Sequence, residues 1–138
     1  MDERPAKALH GASTPILVVE DLVMIARLLR NLLRRIGLEN VDDAPSGRIA
    51  LEKMRAKNYA LVITDCNMPG MSGSELLREI RSDPRLEMTA VLMVTADPTV
   101  GRFIEETSLT QYLIKPFSAD MLTTKITGLL YGTPSIAP

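Results

Sequence analysis

Four apolar runs in this 138-residue chain end in groups able to do chemistry. Residues 16–19 run into the acid pair Glu20-Asp21, residues 60–64 into Asp65, residues 91–94 into the hydroxyl of Thr95, and residues 112–114 into Lys115. Taken alone, a carboxylate at the end of a strand is a turn or capping residue. Three carboxylates drawn together repel one another, and a fold keeps them only if a cation compensates. The donor set is oxygen alone, with no His or Cys at ligand spacing. It therefore favours a hard divalent ion of the magnesium type, which retains waters and takes only one or two carboxylates directly. Such an ion invites phosphate. Lys115 offers a compact positive charge and Thr95 a hydroxyl, both suited to phosphoryl oxygens, while Asp65 can attack phosphorus as a carboxylate nucleophile. The chemistry implied is phosphoryl transfer by positioning and charge neutralisation.

The elements that must position these groups are legible. The β-branched run before Asp65, followed by Asn67, Pro69, Gly70 and Gly73, predicts a buried strand that delivers an acid to a loop. Residues 16–19 predict a first strand. Residues 22–36 predict a helix with Leu22, Ile25, Leu29, Leu32 and Ile36 inward and Gly37 as its stop. Arg27, Arg30, Asn31 and Arg34 line its other side as a solvated face or a docking face, and Val23, Met24 and Leu28 fall outside the buried stripe. Residues 41–44 make a short strand. Ser46 caps a helix to about Lys57, with Ala50, Leu51 and Met54 inward. Ser72 and Glu75 form a capping box for a helix over 75–81. A strand over 91–95 follows, then a weakly helical stretch over 98–110, a strand over 112–114, and a helix capped by Ser118 that ends near Leu130. Strand and helix alternate five times, which predicts an α/β domain with a parallel sheet covered by helices on both faces. Functional groups in such sheets gather at the carboxyl ends of the strands.

Composition narrows the class. Hydrophobic residues make up 46% and charged residues 24%, as in an ordinary globular domain, and the net charge of -1 gives no electrostatic case for nucleic acid. The single cysteine, Cys66, excludes an internal disulfide framework and fits a reducing, cytoplasmic setting. It has no base or second thiol nearby in sequence to make it reactive. No apolar run is long enough for a membrane span. Residues 1–14, with the lone His10, read as an N-terminal arm, 15–131 as the single domain, and 132–138 as a tail.

The motifs ILVVED, ITDCNMPGMSG, VLMVTA and YLIKPF, in this order and spacing, resemble those of the response-regulator receiver domains of the CheY-like family. The resemblance covers about residues 14–131. It implies a doubly wound (βα)5, flavodoxin-like fold with strand order 2-1-3-4-5. It further implies that Asp65 is the phosphoacceptor, that Asp21 and Asp65 bind Mg²⁺ directly, that Glu20 helps through water, and that Asn67 offers its backbone carbonyl. Thr95 and Lys115 would hold the phosphoryl group, Tyr112 would be an aromatic switch, and the Lys115-Pro116 bond would be cis. Without the family, Tyr112 reads as an amphipathic residue at a sheet edge. The expected partners are a sensor histidine kinase or histidine phosphotransfer protein and a downstream effector protein, with no nucleic acid and no membrane. A monomer is expected, with a dimer left open. One departure stands out: the stretch from Thr95 to Lys115 is shorter than in the chemotaxis-type pattern, and Ser108-Leu109-Thr110-Gln111 replaces the usual Ala-Gly pair.

The function implied is a stand-alone response regulator that signals through protein contacts and catalyses only its own phosphorylation and dephosphorylation. A phosphorelay shuttle or a phosphate sink is the alternative. A phosphatase of the haloacid dehalogenase type would need a second Asp where Asn67 stands. A flavodoxin-like carrier would need a hydroxyl-rich phosphate loop where Glu20-Asp21 stands.

Overall fold

In the computed structural model, residues 13–99 and 105–132 are described. The strands are β1 (Ile16–Val19), β2 (Val41–Ala44), β3 (Leu61–Asp65), β4 (Ala90–Thr95) and β5 (Thr110–Ile114), and the helices are α1 (Val23–Arg35), α2 (Gly47–Ala56), α3 (Gly73–Ser82) and α4 (Ala119–Tyr131). The five strands form one parallel sheet in the order β2-β1-β3-β4-β5. This is the doubly wound arrangement expected from the motifs. Its chain order reverses between β1 and β3, which opens a crevice at their carboxyl ends.

The sheet is apolar on both faces because helices cover both. Alternation along each strand sends Leu17, Val19, Val62 and Met93 to the layer under α2 and α3, where Leu51, Leu76 and Ile80 meet them. Ile16, Val18, Ile63 and Leu92 point the other way, against Leu33 of α1 and Leu122 and Ile126 of α4. The three expected serine caps are present: Ser46 accepts from Ile49 N–H, Ser72 and Glu75 form the reciprocal capping box, and Ser118 accepts from Met121 N–H. Each is worth about 1 kcal/mol to its helix.

Two expectations need correction and a third is met only in part. The expected inward line of α1 holds at Leu29, Leu32 and Ile36, which pack against the core, and fails at Leu22. Ala26 and Leu33 are the buried positions, Ile25, Leu29, Leu32 and Ile36 are half-buried beside them, and Leu22 is 58% exposed as the N-cap residue. A leucine-rich helix offers more than one apolar stripe, and packing against β1 and β3 selects among them. Next, β5 starts at Thr110 and not at Tyr112, because Thr110 pairs with Val91 and its hydroxyl is held by the Arg81 guanidinium at 2.7 Å. Finally, the weakly helical stretch expected over 98–110 is met only in part: Pro98 and Thr99 are in 3-10 conformation, and 105–109 are not helical. Residues 100–104, including Gly101, Phe103 and Ile104, lie outside the described residues, as do His10, most of the arm, and the tail from residue 133. At the end of the arm, Ser13 O accepts from Asn40 Nδ2 at 2.9 Å and Thr14 is buried.

Candidate phosphoacceptor site

The crevice collects the acids. Glu20 and Asp21 follow β1 and Asp65 ends β3, so the parallel register of the two strands carries all three to one edge of the sheet. One carboxylate oxygen from each lies within 4.8 Å of the others. Glu20 is buried, with only 6% of its surface exposed, while Asp21 and Asp65 are half-buried. Glu20 Oε2 accepts from Leu22 N–H at 3.1 Å, which fixes the acid at the entrance to α1. Burial raises its pKa to about 7, and the Asp65 charge adds to that; the Leu22 N–H and the Lys115 ammonium act in the opposite direction. A set of three close oxygen donors, one of them buried where its charge is disfavoured without a counter-ion, fits a small hard cation.

The remaining predicted residues come from the neighbouring strands. Thr95 ends β4 beside Ile114, and the backbone N–H of Lys115 donates to Thr95 O at 2.8 Å. The Lys115-Pro116 bond is cis, as the motif implied. Lys115 shares one groove with Glu20 and Asp65. Thr95 is fully buried, and its Oγ1 accepts from Asp97 N–H at 3.0 Å. Asn67 is exposed, and its N–H approaches Asp65 Oδ1 at 3.4 Å. Glu20, Asp21, Asp65 and Lys115 are thus brought together around the crevice, and Thr95 is buried at the end of the neighbouring strand. Tyr112 stands apart on the edge strand, half-buried against the layer under α3, with the Lys125 ammonium 5.8 Å from its ring centroid.

Cys66 is buried next to Asp65, and burial together with the Asp65 charge pushes its thiol up to about 11; contact with the Thr95 hydroxyl acts in the opposite direction. It is a protonated, inert packing residue at neutral pH, in line with the sequence reading.

Two contributors were not recognised from sequence. Gly73 reads there as a breaker, yet it opens α3 with its N–H donating to Cys66 O at 2.9 Å. A Cβ on it would come within 2.3 Å of Asp65 O and 2.9 Å of Cys66 Cα, so only glycine lets the helix approach the acceptor backbone. The second is an apolar groove of about 370 Å³ between α1 and Phe117 that leads to Asp65. Its only sequence signal was the exposed apolar set on α1, and Val23, Met24 and Leu28 are indeed 68%, 72% and 61% exposed.

Comparison with known proteins settles the family. The profile of the family described as "Response regulator receiver domain" matches residues 16–127. This chain belongs to that family. It is 42% identical over 113 residues to the chemotaxis protein CheY of Pseudomonas aeruginosa, covering 80% of this chain and 91% of that protein. It is 37% identical over 122 residues to the chemotaxis protein CheY-3 of Vibrio cholerae, covering 87% and 94%. Among solved structures, the response regulator TrrA of Thermotoga maritima in complex with Mg²⁺ and BeF matches with a TM-score of 0.76 at 36% identity, covering 85% of this chain and 99% of that one. CheY4 of Vibrio cholerae matches with a TM-score of 0.73 at 30% identity, covering 85% and 98%. A receiver domain is a module of two-component signalling, and none of the described helices is long and apolar enough to cross a membrane.

Proposed function

We propose that this receiver works as a stand-alone response regulator that takes a phosphoryl group on Asp65 from a histidine kinase or histidine phosphotransfer protein and signals by protein contact. The observation that carries the reading is the acid triad, with its oxygens within 4.8 Å, two of whose members, Glu20 and Asp65, share a groove with Lys115. The relatives add weight, since this chain spans 91% and 94% of two chemotaxis proteins that it resembles. Asp21 and Asp65 would hold Mg²⁺ directly, with Glu20 helping through water and Asn67 offering its backbone carbonyl. When bound, the ion supplies positive charge that offsets the triad and the phosphoryl oxygens.

The protein's own groups do the rest. An Asp65 carboxylate oxygen forms the new O–P bond as the donor's N–P bond breaks, and the electron pair of that bond returns to the imidazole, which takes up a proton. Lys115 neutralises charge on the transferred group. Thr95 donates its hydroxyl proton to a phosphoryl oxygen, which it can do while still accepting from Asp97 N–H, because a hydroxyl both donates and accepts. Its present neighbour Cys66 is a weak sulfur acceptor and competes poorly. Tyr112 follows the movement of Thr95 as the aromatic switch. The chemistry is confined to phosphorylation and dephosphorylation of Asp65, and the setting is the cytoplasm.

The test is labelling with phosphoramidate followed by intact-mass analysis. One phosphoryl group is expected to be added in Mg²⁺, none in EDTA, and none to Asp65→Asn in either. Equal labelling of Asp65→Asn and the wild type refutes the assignment.

A further inference from the structure

The hydroxyl of Thr95 carries a single proton, and the sheet places an acceptor for it close by. Strands β3 and β4 pair Thr64 with Met93 and Asp65 with Val94, and the Cys66 N–H extends the ladder by donating to Val94 O at 3.0 Å. Side chains alternate along each strand, so Asp65 turns toward one face while Cys66 and Thr95, one step further on, turn together toward the other. On that face Cys66 packs with Val62, Leu76 and Met93. Cys66 and Thr95 are both buried, which keeps water from competing for either group. Thr95 Oγ1 accepts from Asp97 N–H at 3.0 Å, which leaves its proton to be donated, and the Cys66 side chain is in hydrogen-bonding contact with it. The backbones on both sides are held. Gly73 N–H donates to Cys66 O at 2.9 Å, and Lys115 N–H donates to Thr95 O at 2.8 Å. The contact is therefore made and broken chiefly by rotation of the Thr95 side chain.

We propose that Cys66 is a positioning residue for Thr95: its sulfur is the acceptor of the Thr95 proton before phosphorylation, and its weakness as an acceptor sets how readily Thr95 turns to a phosphoryl group on Asp65. This deepens the phosphoacceptor reading of Asp65 and rests on it. One hydroxyl proton makes one well-aligned bond, so the sulfur and a phosphoryl oxygen exclude each other. The exchange favours the phosphoryl group, because a charged oxygen is a far stronger acceptor than a thiol. Burial keeps the thiol protonated at neutral pH, so the sulfur does not gain the charge that would let it compete. A serine oxygen in its place would hold the proton more tightly, and an apolar side chain would not hold it at all.

The test compares Cys66→Ala, Cys66→Val and Cys66→Ser in the full chain, each with Thr95 intact and with Thr95→Val. The initial rate of labelling by phosphoramidate in Mg²⁺ is followed by intact mass, and urea unfolding in EDTA is recorded for every variant. With Thr95 intact, the Ala and Val variants are both expected to label about threefold faster than the wild type, and the Ser variant about fivefold slower. Ala leaves a space where Val fills it, so a shared acceleration reads the lost acceptor and not the packing. In the Thr95→Val background the three substitutions should leave the rate unchanged. The proposal is overturned if the Ala and Val variants are not accelerated, if the Ser variant is no slower than the wild type, or if the differences persist in Thr95→Val. Rates that simply follow the unfolding stabilities overturn it as well. Failure of phosphoramidate to label the wild type would instead overturn the underlying assignment of Asp65.

Discussion

Replacing Glu20 by Gln should stabilise the metal-free protein at neutral pH and remove a distinctive pH dependence. Glu20 titrates near 4.5 in the unfolded chain and at about 7 in the fold, chiefly through burial. Below pH 4.5 the group is protonated in both states and costs nothing. Between 4.5 and about 7 the unfolded chain has released the proton while the folded chain holds it, so stability falls as pH rises through this window and levels off above it. At about 1.4 kcal/mol per pH unit the full gap is on the order of 3 kcal/mol, and water reaching the half-buried Asp21 and Asp65 reduces this to about 2 kcal/mol. Urea unfolding in EDTA from pH 5 to 8 should show that loss for the wild type and a flat profile through the same window for Glu20→Gln. Millimolar Mg²⁺ should restore most of the loss at pH 7.5 in the wild type, because an ion that binds only the folded state stabilises it. If the wild type and Glu20→Gln show parallel profiles in EDTA, Glu20 is not held against its charge, and the account of the triad fails.

Other changes probe the supports of the site. Gly73→Ala places a Cβ 2.3 Å from Asp65 O. It should cost about 2 kcal/mol or more in denaturant unfolding and slow phosphoramidate labelling, because backbone cannot yield as a side chain can. Arg81→Met removes the donor to the carbonyls of Glu87, Thr89 and Leu109 and to the Thr110 hydroxyl. A loss of about 2–4 kcal/mol is expected by urea titration, with Arg81→Lys recovering only part of it, since an ammonium lacks the fork. Tyr59→Phe removes the 2.6 Å hydrogen bond to Asp42 Oδ2. That bond and Lys57 hold the Asp42 carboxyl below its usual range, so its contribution is present at neutral pH and lost on acidification. The substitution should therefore cost about 1 kcal/mol at pH 7 and less at pH 3.

What the sequence disclosed follows the range over which its signals act. Strands β1 and β3 were legible because β-branched runs and their stops are local, and the serine caps because each acts within three residues of itself. The acid, hydroxyl and lysine groups were placed at strand ends, and the parallel register carried them to one edge. The fully buried positions of α1, Ala26 and Leu33, were not legible, since residues 22–36 offer alternative stripes and only the sheet chooses. Gly73 was legible as a glycine but not as a close contact, because its constraint is the backbone of Asp65, which precedes it on another element. Arg81 was invisible for the same reason, its partners Leu109 and Thr110 being 28 and 29 residues away.

These unread contacts bear on how the site communicates with the edge of the sheet. The connection between β4 and β5, shorter than the chemotaxis-type pattern, is fastened at both ends. At the near end Thr95 Oγ1 accepts from Asp97 N–H, and the Asp97 carboxylate accepts from the N–H and hydroxyl of Thr99. At the far end Arg81 grips Leu109 and Thr110, and Glu106 Oε2 accepts from Tyr112 N–H at 3.3 Å. A pull on Thr95 toward a phosphoryl group thus reaches Asp97 directly, whereas Thr110 is anchored to α3 by a desolvated guanidinium. The two fastenings differ in strength. The neutral bond from Asp97 N–H to Thr95 Oγ1 is worth about 1 kcal/mol, and the charge-assisted bonds of Arg81 roughly twice that each. Displacement of Thr95 should therefore be absorbed at Asp97, while β5 keeps its register with β4.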